Sequence, residues 1–117
     1  MNLKENTHIN KTYKSLERNM TDFIELGEAD YTSNDVQKCM SLLEDFLDEI
    51  AKTDSRETGI QSVKKTVLAI NHLNESCEYE LVETEQREKI VDIIIFAGHL
   101  KGYNHISEDI TEEWREW

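Results

Sequence analysis

No proline occurs anywhere in the 117 residues, and there are only four glycines, Gly27, Gly59, Gly98 and Gly102. The two residues that interrupt helices most strongly are therefore nearly absent, and long helical runs meet little resistance. Sandwiches and barrels, which need many tight turns, fit such a chain poorly. A chain of this length suits one domain with a single modest core, burying roughly 60 to 70 per cent of the surface its unfolded form exposes.

Apolar residues recur at three- and four-residue spacing in four stretches. The first helix is predicted from His8 to Leu26, with Ile9, Tyr13, Leu16, Met20, Phe23 and Ile24 on one face, Thr7 as N-cap and Gly27 beyond its end. The second follows a Thr32/Asp35 capping box, carries Val36, Cys39, Met40, Leu43, Phe46, Leu47 and Ile50, and ends near Lys52. An Asp54/Glu57 pair is read as the cap of a third stripe, Ile60, Val63, Val67, Ile70, Leu73 and Cys77. Thr84 is read as the cap of the fourth, which runs through Ile90, Ile93, Ile94, Ala97 and Leu100 and has the widest apolar face. The β-branched run from Ile90 to Ile95 could instead be a buried strand, but Asp92 within it and Leu100 beyond it favour a helix. Asp109 and Glu112 are read as capping a last short helix that carries Trp114 and Trp117.

The expected architecture is all-α: a compact antiparallel bundle of four long helices with a short C-terminal helix, the fourth helix near the centre. It forms a single domain over residues 1–117, with residues 1–6 read as disordered. Cys39 and Cys77 fall on or beside apolar stripes and read as core thiols.

With 25 acidic against 13 basic side chains, the formal net charge is −12. Repulsion from phosphates disfavours direct binding to nucleic acid or an anionic membrane and makes a basic protein the natural partner. Residues Met1 to Asn10 lack the apolar run of a secretory signal, and the apolar stretch at Ile90 to Ala97 is far shorter than the roughly 20 residues of a membrane span. A cytoplasmic location is the expectation.

The excess charge is concentrated on the second helix. Glu44, Asp45, Asp48 and Glu49 set like charges four residues apart, at a cost of about 0.2 to 0.5 kcal/mol per pair. Such a quartet fits recognition of a positive surface, and it equally fits a solvated helix face. Asp45 and Asp48, together with Glu85, Glu88 and Asp92 on the fourth helix, could alternatively gather around Mg²⁺ or Mn²⁺. Over these five residues the chain resembles the all-helical nucleotide pyrophosphohydrolases of the MazG type, which use E-x-x-E and E-x-x-D pairs. That resemblance implies a metal-dependent phosphate-ester hydrolase, although Asp45 and Asp48 stand where the family has glutamates.

Glu5-x-x-His8 has the spacing of half a di-iron motif but lacks the second copy. His72, His99 and His105 have no metal-ligand partner at diagnostic spacing, and no phosphate loop, nucleophile elbow or H-E-x-x-H motif occurs. No cofactor is expected. Trp114 and Trp117, on one helical face, either close the core or anchor a partner or homodimer interface. The leading functional expectation is an acidic binding module, such as an inhibitor or immunity protein that blocks a basic site. The alternatives are the metal-dependent hydrolase and a structural homodimer closed by the fourth helix or the tail.

Overall fold

The computed structural model describes residues 2–117; Met1 lies outside the described residues. It is all-helical, with no strand among the described residues: a 3-10 turn at Leu3–Glu5 precedes α1 (Thr7–Glu25), α2 (Ser33–Ala51), α3 (Arg56–Ser76) and α4 (Thr84–Leu100). The β-branched run is helical, as Asp92 and Leu100 suggested.

Ahead of α1, within the stretch read as disordered, residues 2–6 form the 3-10 turn and the cap of the first helix. The Asn2 side chain accepts the Lys4 N–H, and Leu3 is buried in the core. Asn6, one residue before the expected Thr7, caps α1 by accepting the Ile9 N–H at 3.1 Å. At the other end Gly27 (φ +74) donates to Ile24 and Glu28 donates to Phe23, a Schellman closure that needs a left-handed residue.

The Thr32/Asp35 capping box of α2 forms as read, with Thr32 N–H donating to Asp35 at 2.9 Å. That bond, from the Thr32 backbone, is the main reason the Asp35 carboxyl titrates below its ordinary value. Two other caps shift by one residue. Ser55 rather than Asp54 accepts the Thr58 N–H and opens α3. Glu83 rather than Thr84 opens α4, its N–H donating to Gln86 Oε1 at 3.0 Å.

One core joins all four helices, with Phe46, Leu43, Ile70, Ile93 and Ile94 almost wholly enclosed. α2 touches α1, α3, α4 and the 3-10 turn, whereas α4 lies chiefly against α1. The hub is thus α2 and not α4. The wide face of α4 is covered instead by α1 and by the segment that follows α4. In that segment Asn104 donates to the Ile95 carbonyl and Ile110 packs into the core. Cys39 and Cys77 are free, buried thiols; burial pushes Cys39 up to about 12.

The short C-terminal helix is not formed. Asp109 binds the Thr111 N–H and hydroxyl, two residues on, and Arg115 reaches back to Asp109 at 3.2 Å, so the chain makes turns instead. Burial disfavours the Asp109 carboxylate, but the Thr111 bonds and the Arg115 charge outweigh it and lower its pKa. Asn71 of α3 takes the remaining backbone groups, donating to the Trp114 carbonyl at 2.7 Å and accepting from Glu116 N–H at 3.1 Å. Backbone bonded to a side chain in this way is not free to continue a helical ladder.

Candidate functional site

The acidic quartet of α2 lies on the surface but divides between two neighbours. Glu44 (3.0 Å) and Asp48 (3.5 Å) share Lys4 from the 3-10 turn, and Glu49 pairs with Lys65 and accepts the Ser62 hydroxyl. The Glu44 hydrogen bond is the leading cause of the raised Lys4 pKa. Asp45 has no cation within 4 Å among the described residues. These pairs are exposed and contribute little stability, so a partner's Lys or Arg could displace them at small cost.

The five carboxylates considered for a metal are not gathered. Asp92 turns toward α1, where it contacts His8 Nε2 at 2.6 Å and accepts the Thr12 hydroxyl at 3.2 Å. Glu85 pairs along its own helix with Lys89. Asp45 and Asp48 stand on α2, which meets α4 far less extensively than α1 does. Among the described residues no group of three or more His, Cys, Asp or Glu side chains could hold a metal.

Trp114 and Trp117 are half-buried against the core, with Lys64 over the first ring and Arg115 over the second. Lys64 and Asn71 hold this tail against α3.

A different acidic feature emerges where the α1–α2 and α3–α4 loops meet. Glu28 and Asp30 from the first loop, with Glu80 and Glu83 from the second, surround a cavity of about 230 Å³. That is room for roughly seven waters at ~30 Å³ each, the scale of one long side chain. Phe23, Ala29 and Tyr31 supply its apolar wall, and Gln86 its polar one. No cation pairs with any of the four carboxylates among the described residues.

The walls are fixed by local chemistry. Tyr31 is buried and donates to the Met20 carbonyl at 3.2 Å. Burial, with the Glu83 charge second, pushes its phenol up to about 12, so it remains a donor. Gln86, also buried, bonds Asn19 of α1 and caps α4. Asn74 accepts the Val82 N–H at 2.9 Å and pins the second loop. Glu78 (φ 55) and Tyr79 (φ 65) both take the left-handed conformation that side chains resist, and the chain turns through them directly before Glu80.

Reading the sequence by helix overlooked this cavity because its acids come from two loops, those of one lying 50 or more residues from those of the other. The available signal was the stretch from Glu75 to Glu85, which holds five glutamates and no Lys or Arg.

Comparison with protein-family models, with curated proteins and with solved structures gives no match. No helix is long and apolar enough to cross a membrane among the described residues.

Proposed function

We propose that the protein is a binding module for a basic protein partner, acting as an inhibitor or immunity protein acts on a nucleic-acid- or phosphate-binding site. The observation that carries this reading is the cavity of Glu28, Asp30, Glu80 and Glu83, whose carboxylates pair with no cation among the described residues. A lysine or arginine side chain suits it: the aliphatic stem lies along Phe23 and Tyr31, and the charged head meets the carboxylates. The net charge of −12 steers such a partner inward, and the α2 quartet adds to the attraction. Carboxylates that occupy the Lys and Arg of a phosphate site block it by direct competition.

The test uses a tetra-arginine peptide titrated into isotope-labelled protein at low salt. Chemical-shift changes should centre on Phe23, Tyr31 and Gln86. Replacing Glu28 and Glu80 by glutamine should weaken binding by about tenfold, as expected when two close charge pairs are lost. Shifts spread evenly over the surface, or unchanged affinity in the double variant, would overturn this assignment.

A further inference from the structure

Between α2 and α3 runs an open trough of about 660 Å³. Leu42, Ala69 and Leu73 give it an apolar floor, and Lys38 and His72 stand on its rim. Although the chain holds 25 acidic residues, none lines this trough. Leu68, one turn from His72 on α3, is 45% exposed, one of few large apolar side chains so exposed among the described residues. The homodimer surfaces expected from sequence are partly covered, α4 by α1 and the tryptophans by the core. The trough is an apolar face left open.

We propose that the α2–α3 trough is a self-association surface, filled by the same trough of a second copy related by a two-fold axis at Ser41 and Leu42. The α2 edge of the trough is self-complementary in charge. Lys38, Ser41, Leu42 and Asp45 follow one another at helical spacing and form one stripe of α2. Lys38 and Asp45 are equally far from the Ser41–Leu42 midpoint, on opposite sides. When two such stripes pack in opposite directions across a two-fold axis, Lys38 of each copy meets Asp45 of the other, and Leu42 meets Ser41. Asp45 is the member of its quartet without an intramolecular cation, and Lys38 likewise has no ion pair among the described residues.

The arrangement also keeps the acidic cavities of the two copies, each of charge −12, well apart. The acidic cavity lies at the N-terminal end of α2. Opposed α2 helices therefore place the two cavities at far ends, separated by about the ~28 Å length of a 19-residue helix. At 0.15 M salt that distance exceeds the ~8 Å screening length several times over.

Sedimentation equilibrium of the full chain at 0.15 M salt should show the mass rising with concentration toward two chains. Lys38→Glu and Asp45→Lys should each weaken association by about tenfold, since each loses two pairs and creates two like-charge contacts. The combined reversal should restore affinity to within about threefold of wild type. A cysteine at Ser41 should cross-link readily to its symmetry mate, and one at the exposed Arg18 on α1 should not. Glu28→Gln with Glu80→Gln should leave the dimer unchanged, which separates this proposal from the basic-partner reading. A single-chain mass up to roughly 1 mM, where even weak contacts register, would overturn it. So would a dimer indifferent to both single reversals, or one altered by the cavity variant, or Ser41→Cys cross-linking no faster than Arg18→Cys.

Discussion

Gly98 sits inside α4, where alanine would ordinarily be the better residue by about 0.5 to 1 kcal/mol. Here the substitution should destabilise. A Cβ at position 98 would overlap the Asn104 amide oxygen and lie 3.2 Å from Ile110 Cδ1. Neither neighbour can yield freely. Ile110 is packed in the core, and Asn104 is held by two bonds of 3.1 Å from its amide nitrogen to the carbonyls of Ile95 and His105. Displacing Asn104 forfeits those bonds, worth about 0.5 to 1.5 kcal/mol each, and overpacking adds about 1 to 3 kcal/mol. After the helical gain is subtracted, Gly98→Ala should cost about 1 to 5 kcal/mol. Urea titration should show a lower midpoint with an unchanged slope. Gly102→Ala is the control: nothing lies within 4 Å, but φ is +77, so only the backbone penalty of about 1 kcal/mol applies. If Gly98→Ala is as stable as wild type, the close seat of Asn104 on α4 is wrong.

Three further outcomes follow from the geometry. Asn71→Ala removes both bonds to the tail and should cost about 1 to 3 kcal/mol; because both tryptophans lie in that tail, their emission should shift to the red as it comes free. Stability should fall in alkali: the folded state raises Cys39 from 9.0 and Tyr31 from 10.0, each to about 12, so the unfolded chain loses protons first and the stabilisation present below these ordinary values disappears as pH climbs to 12. Tyr31→Phe should reduce the loss that develops above pH 10 and leave the Cys39 share, as pH-dependent melts would reveal. Mg²⁺ or Mn²⁺ should raise the melting temperature no more than NaCl of matched ionic strength, and a specific rise abolished by Asp48→Asn would revive the metal reading.

The helices were legible because burial imposes its period on the chain: Val36, Cys39, Met40, Leu43, Phe46, Leu47 and Ile50 are all buried on one face of α2, as their spacing required. Caps were legible to within a residue. Asn6 and Thr7, Asp54 and Ser55, or Glu83 and Thr84 place adjacent capping candidates side by side, and the backbone, not composition, chooses between them. The tail misled because Trp114 and Trp117 have helical spacing, while Asn71, more than 40 residues away, takes the backbone groups a helix would use. For the same reason the quartet looked uncompensated: Lys4 lies 40 residues from Glu44 and Lys65 lies 16 from Glu49. Such pairings are created by the fold and leave no local trace.

Helix stability does not account for the placement of the remaining charge. Acids near the starts of α2 and α4, such as Asp35 and Glu85, face favourable helix-dipole ends. Asp22, Glu25 and Glu75 do the opposite: they occupy the last turns of α1 and α3, which contain no basic residue. Each such carboxylate sits at the negative end of a dipole, where a lysine would be better by about 0.3 to 1 kcal/mol. The Glu28, Asp30, Glu80 and Glu83 cluster adds mutual repulsion with no cation beside it. Meanwhile Lys4, Arg56, Lys65, Lys89 and Arg115 pair with acids elsewhere on the molecule. A fold selected for stability alone gains nothing by leaving this one end uncompensated, whereas a basic partner that supplies the missing cations converts the same repulsion into binding energy.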